Sequence, residues 1–170
     1  DSLALLLLDP AGSHLELTAF RGAYHGVRPG LRLPLDGRGV TTWVARHGQP
    51  LAVPDVSKDE RHVSGGLPTG SELAVPMKIG GHVTGVLDVQ RDVTGAFADE
   101  DALLLETLAN HAAVALTNLR AREELQREKG RMETILACSA DAIITTDRHG
   151  IITYFSPGAE EMFGYGMAQV

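Results

Sequence analysis

The chain has 170 residues, room for one ordinary domain and part of another, because single domains cluster at roughly 100–150 residues. With 44% apolar and 22% charged residues it has globular composition, neither disordered nor fibrous. Fifteen basic against 22 acidic residues give a net charge of -7, which excludes a global field drawing the chain onto nucleic acid or anionic lipid. The lone Cys138 permits neither an intrachain disulfide nor a cysteine metal cluster; it fits a reducing, cytoplasmic setting and reads as a small buried apolar residue.

In chain order, Leu3 to Leu8 is far too short to span a bilayer and reads as a central strand buried on both faces. The turn-forming Asp9-Pro10-Ala11-Gly12 leads into a second strand at about 15–21, and Gly22 to Gly39 is loop-rich. Val40, Trp43, Val44 and His47 lie at helical spacing before the stop signals Gly48 and Pro50, which predicts a short amphipathic helix. Residues 51–56 predict a short strand. Ser57 to Gly70 has no period, and a loop of this length inside a domain is expected to be a lid. ELAVPMKI and HVTGVLDVQ alternate on either side of Gly80-Gly81 and predict a hairpin, strands at 72–79 and 82–90, with Leu73, Val75, Met77 and Ile79 on one face.

Asp99 caps a helix running through at least Arg127, with Leu136 as its outer limit and apolar residues at Leu104, Leu105, Leu108, Ala112, Ala115, Leu116 and Leu119. The segment RAREELQREKGR is nearly all charged; Leu125, Met132 and Leu136 keep a heptad line through Lys129, a thin coiled-coil seam. AIITTD and IITYFS then form a second hairpin about Arg148-His149-Gly150, after which Ser156 caps a helix with Pro157 at its first position. The chain opens in a strand-like run and stops in a helix-like one, so it reads as a piece of something longer.

GVTTWVARHGQPLAVPDV, SELAVPMKIGGHVTGVLDVQ and AFADEDALLLETLANHAAVAL, in that order, resemble a GAF domain, and DAIITTDRHGIITYFSPGAEEMFGY resembles the start of a PAS domain. The resemblance implies an α+β fold: a six-stranded antiparallel sheet flanked by helices, a pocket on one face, and a dimerising helix. It divides the chain into a GAF-like sensor domain at 1–119 whose first helix is missing, a coiled-coil linker at 120–133 and an N-terminal fragment of a PAS-like domain at 134–170. It also implies a regulatory sensor that binds a small-molecule effector and signals, as a homodimer through the long helix, to an output, foremost a histidine kinase. The alternative is a ligand-free dimerisation scaffold feeding a cyclic-dinucleotide cyclase or a phosphatase.

Catalytic residues are not expected. GAF-like methionine sulfoxide reductases use several cysteines, because one thiolate attacks the sulfoxide and another resolves the product, whereas the GAF-like segment here has none. The same absence disfavours a covalently attached bilin. Phe97 and Asp101 are half of a cyclic-nucleotide pattern whose glutamate position holds Ala102, so that ligand is disfavoured too. The seven histidines show no metal-ligand spacing, and haem would need a single axial His62 or His111. The expected ligand-binding set borders the irregular segment: Asp55, His62, Ser64, Thr69, Ser71 and Glu72, with Trp43 and Val75 as apolar wall. The plain alternative is that these polar groups cap and solvate a loop.

Overall fold

The computed structural model describes residues 1–22, 28–64, 68–138, 141–166 and 169, with the side chains at 133, 137 and 138 left aside. The Cys138 side chain and residues 65–67 of the expected lid therefore lie outside the described residues. The chain divides into two units, Asp1–Thr117 and Asn118–Val170.

The first unit is built on one antiparallel sheet. Its strands are β1 (Ser2–Leu8), β2 (His14–Arg21), β3 (Arg32–Pro34), β4 (Leu51–Val53), β5 (Ser71–Ile79) and β6 (His82–Arg91), in the spatial order β3-β2-β1-β6-β5-β4. The apolar run of β1 sits at the centre, paired with β2 on one side and β6 on the other, which is why it needs no polar face. Helix α1 (Val40–His47) covers one face and α2 (Asp99–Cys138) the other.

Strand alternation sorts the sheet residues between two cores. Ala4, Leu6, Leu15, Leu17, Ala74 and Val86 pack with Val40, Val44 and Ala45 of α1. Leu7, Leu73, Val75 and Met77 pack with Ala109 and Ala113 of α2. Burying each larger apolar side chain contributes roughly 1.5–3 kcal/mol. The face expected for Leu73, Val75, Met77 and Ile79 is the face α2 covers, with Ile79 partly buried.

Four elements differ from the sequence reading, α2 among them. The loop-rich stretch contains β3, which pairs with β2 through Leu15↔Leu33 and completes the sheet. The strand at 51–56 stops at Val53, because Asp55 turns the chain: its carboxylate accepts from Ser57 N at 3.1 Å and caps a 3₁₀ turn at Val56–Lys58. Helix α1 has the expected bounds, but Trp43 is only half-buried and His47 exposed, while Thr42 and Ala45 turn inward.

On α2 the expected apolar stripe splits. Leu105, Ala112 and Leu116 face the sheet together with Ala102, Ala109 and Ala113, whose small side chains let the helix approach closely. Leu104, Leu108 and Leu119 remain exposed. Asn110 Oδ1 accepts the Lys78 backbone N–H at 2.8 Å, where a bulge between Met77 and Lys78 interrupts the β5–β6 ladder. Among the described residues no helix is long and apolar enough to cross a membrane.

The second unit holds the end of α2 and a small hairpin, β7 (Ile144–Thr146) with β8 (Ile152–Phe155), followed by α3 (Pro157–Phe163). Ser156 caps α3, its hydroxyl oxygen accepting from Ala159 N at 3.1 Å and from Ile143 N at 2.9 Å. Asp147 closes the hairpin turn by accepting from His149 N and Ile151 N.

Candidate functional site

The sheet face beneath α1 holds a partly open cavity of about 260 Å³. Ala4, Leu6, Leu17 and Leu33 give it apolar walls, as expected of side chains at alternate positions on one sheet face. Into this apolar setting β5 and β6 project Glu72, Asp88 and Gln90. The register explains their convergence: Glu72 pairs with Gln90 and Ala74 with Asp88, so all three lie on one face, Asp88 diagonal to Glu72.

Both carboxyl groups are deeply buried, Glu72 at 4% exposure and Asp88 at 3%. Asp88 Oδ2 accepts from Gln90 Nε2 at 3.0 Å, and Gln90 Oε1 accepts from Thr69 Oγ1 at 3.0 Å, which fixes the amide's orientation. Asp88 Oδ1 has no such donor among the described residues; only a proton shared with Glu72, or a group from outside, can serve it. His62 Nδ1 lies 2.7 Å from Glu72 Oε2. Its Nδ1–H donates to an ionised Glu72, whereas a protonated Glu72 donates to a bare Nδ1.

Burial of two acids side by side disfavours their charged forms. Asp88 is raised well above the aspartate range, first by burial and then by the Glu72 charge beside it. Burial is also the main cause that pushes Glu72 up to about 7, with Asp59 adding to it and a hydrogen bond with Asp88 opposing it. His62 is lowered by its own burial, against the pull of Asp88 and Asp59, so its link to Glu72 is a hydrogen bond more than an ion pair.

Of the side chains anticipated from sequence, Glu72 and Ser64 line the cavity, His62 is bonded to Glu72, and Thr69 supports it through Gln90. The others are elsewhere. Val75 lies on the opposite sheet face against α2, because it is an odd number of residues from Glu72. Trp43 stacks on His47 with ring centroids 4.1 Å apart and lies under the Arg61 guanidinium. Asp55 caps its 3₁₀ turn and pairs with Lys58 at 2.8 Å. The Ser71 hydroxyl is buried and donates to the Val93 carbonyl at 2.8 Å.

Asp88, Gln90, Arg38 and Thr41 were not anticipated, although all line the cavity. A signal for Asp88 was present: an acidic residue inside the apolar strand VLDV, with the parity of Glu72 across the hairpin.

A sheet in this order, with a small cavity under its short helix and a long helix behind it, agrees with the comparison to protein families. The GAF domain model matches residues 1–116, more than half of the chain. The chain belongs to the GAF family. The PAS fold model matches residues 130–170 beyond it. A free methionine-R-sulfoxide reductase of Escherichia coli is 31% identical over 84 residues, covering 49% of this chain and 50% of that protein. The Neisseria meningitidis free methionine-R-sulfoxide reductase, solved in complex with its substrate, is 30% identical with a TM-score of 0.56, covering 64% of this chain and 62% of that one. The GAF domain of a Coxiella burnetii phosphoenolpyruvate-protein phosphotransferase is 25% identical with a TM-score of 0.65, covering 73% and 76%. The chain spans about half the length of the curated relatives it matches. Membership in the GAF family suggests a regulatory or sensory domain.

Proposed function

We propose that the GAF domain is the input of a signalling protein and binds a small organic effector that presents a cationic amine or comparable hydrogen-bond donor to Asp88 and Glu72. Asp88 Oδ1 carries this reading: a buried carboxyl oxygen on the wall of a cavity, served among the described residues by nothing except a proton shared with Glu72. Leaving such a group unserved costs roughly 1–3 kcal/mol or more, which a ligand's N–H would offset. A cavity just under the roughly 300–1,000 Å³ typical of drug-sized ligands suits a small metabolite. The likeness to a reductase solved with its substrate supports a ligand site in this fold.

Binding without turnover is the expectation, because the only cysteine of the chain, Cys138, lies outside the matched GAF segment. Transmission would pass from β5 to α2 through Lys78, bonded to Asn110 and, by its ammonium, to Glu106 at 3.1 Å. The helix, paired with its copy in a second chain, would carry the signal toward an output of the histidine kinase kind; the charged helix entering a PAS match supports that order of parts.

Calorimetric titration of the 170-residue chain with methionine sulfoxide and a panel of small primary amines tests the reading. At least one probe should bind, and Asp88→Asn should weaken it on the order of ten-fold or more. Silence across the panel, or equal affinity in Asp88→Asn, would reject it. With a thiol reductant supplied, the chain should release no methionine from methionine sulfoxide above the rate without protein, and measurable turnover would overturn the non-catalytic reading.

A further inference from the structure

Residues 59–64 border the cavity on few attachments. The turn is stiffened from within: the Asp59 carboxylate accepts from Arg61 N and Nε at 2.9 Å and from its Nη2 at 2.6 Å, and the Asp59 carbonyl accepts from His62 N at 3.1 Å. Val63 and Ser64, next along the chain, line the cavity. Two side chains fasten the turn to the rest of the domain. The Arg61 guanidinium lies over Trp43 of α1, 5.4 Å from the ring centroid, and His62 Nδ1 meets Glu72 Oε2 of β5 at 2.7 Å. Neither attachment belongs to the sheet ladder, so the turn can leave without parting a strand, whereas Glu72 and Asp88 sit on paired strands and cannot.

The acids beside the turn can carry more charge than their surroundings serve. One charge, on Glu72, is met by His62 Nδ1–H. A second, on Asp88, leaves Oδ1 bare, because Gln90 reaches only Oδ2. Of the other charged groups around the pair, Asp59 is taken up by Arg61, and Arg38, exposed on the α1 side of the cavity, forms no ion pair among the described residues. Two adjacent carboxylates in an apolar setting repel each other and need water, and the turn is the part that can yield to admit it. We infer that residues 59–64 form a strap, latched against the cavity while the acid pair keeps its shared proton and lifted when rising pH removes that proton, so that water reaches Asp88. The raised values of both acids, Glu72 at about 7, place this step near and above neutral pH. Acid does not undo the latch from the other side, since a proton on His62 leaves a cation against Glu72 Oε2. The device needs no effector and does not rest on the effector reading.

Trp43 is the only tryptophan of the chain, and the strap's own Arg61 covers it, so its fluorescence reports the strap. Acrylamide quenching of the ligand-free 170-residue chain is followed from about pH 6 to about pH 9, well below Tm, with circular dichroism recorded at each step. The quenching slope should rise at least about two-fold as the guanidinium leaves the ring, while the circular dichroism stays unchanged. Asp88→Asn and, independently, Glu72→Gln should hold the low slope throughout, because neither variant can place two charges in the cavity. Arg61→Gln should be quenched strongly at both ends of the range. His47→Gln, which removes the imidazole stacked on the same ring, should keep the rise. A flat wild-type slope, a rise of the same size in Asp88→Asn, a rise lost in His47→Gln, or one that comes with lost circular dichroism would each overturn the strap.

Discussion

A buried carboxyl group with no cation beside it favours the acid form, and Glu72 with Asp88 makes that demand twice within one cavity. Glu72 rises from the ordinary 4.5 to about 7 and Asp88 well above its usual range, so across that interval the native state holds more protons than the unfolded chain. Stability is then fully present below the ordinary carboxylate values and is lost as pH rises through the native ones. The groups facing the pair are His62, Asp59 and the neutral Gln90, and lowering of His62 by burial leaves little positive charge to hold the acids ionised. Thermal unfolding should therefore show Tm falling on the order of 5–10 °C between about pH 5 and pH 8, with a flatter profile in Asp88→Asn. A Tm that rises with pH over this window, or an unchanged slope in the variant, would contradict the assignment. Gly85 makes a different demand: a Cβ there would collide with the Leu6 carbonyl oxygen across the β1–β6 pairing. Gly85→Ala should cost about 2–4 kcal/mol in urea unfolding, since the backbone of two central strands must part to admit it.

At the scale of elements, α2 is bound to the sheet by more than apolar packing. Asn110 accepts the Lys78 N–H beside the bulge in the ladder, so Asn110→Ala leaves a partly buried donor unserved. A loss of about 1–2 kcal/mol in denaturant unfolding is expected; no change would mean that water replaces the amide at no cost. This contact was not legible in the sequence, because it joins positions 32 apart and depends on a register shift that no local pattern announces. What was legible is what short periods encode. The hairpin across Gly80-Gly81, the bounds of α1 and the Ser156 cap follow from alternation, helical spacing and terminal residues within a few positions. Strand β3 escaped because three residues carry too little alternation to register, and it exists through pairing with β2. The cavity was half legible: Glu72 and Ser64 border an irregular segment that could be seen, whereas Asp88 required asking which face of the hairpin each residue takes. Val75, placed in the wall, shows the same omission from the other side.

For the whole molecule, the exposed residues of α2 bear on its assembly. Leu104 is 61% and Leu108 53% exposed, although both lie among residues that pack on the sheet, because the helix is apolar over more of its circumference than one sheet can cover. Steps of four and three from Leu104 pass through Leu108, His111, Ala115, Asn118 and Arg122 to Leu125, Lys129, Met132 and Leu136. That is a heptad line, apolar at its ends and polar in its middle. A second copy of the chain presents the same line, and two such helices in parallel would bury leucine on leucine while leaving the central polar positions hydrated. Such a pair would be weak enough at its middle to shift rotation or register, which is the bistability a signalling helix requires. Light scattering should accordingly give a dimer mass, and Leu104→Glu with Leu125→Glu should give a monomer with unchanged circular dichroism, because neither side chain contributes to a core. A wild-type chain that stays monomeric at concentrations on the order of 100 μM would remove helix pairing from the proposed route of transmission, while the cavity and its titration behaviour would stand.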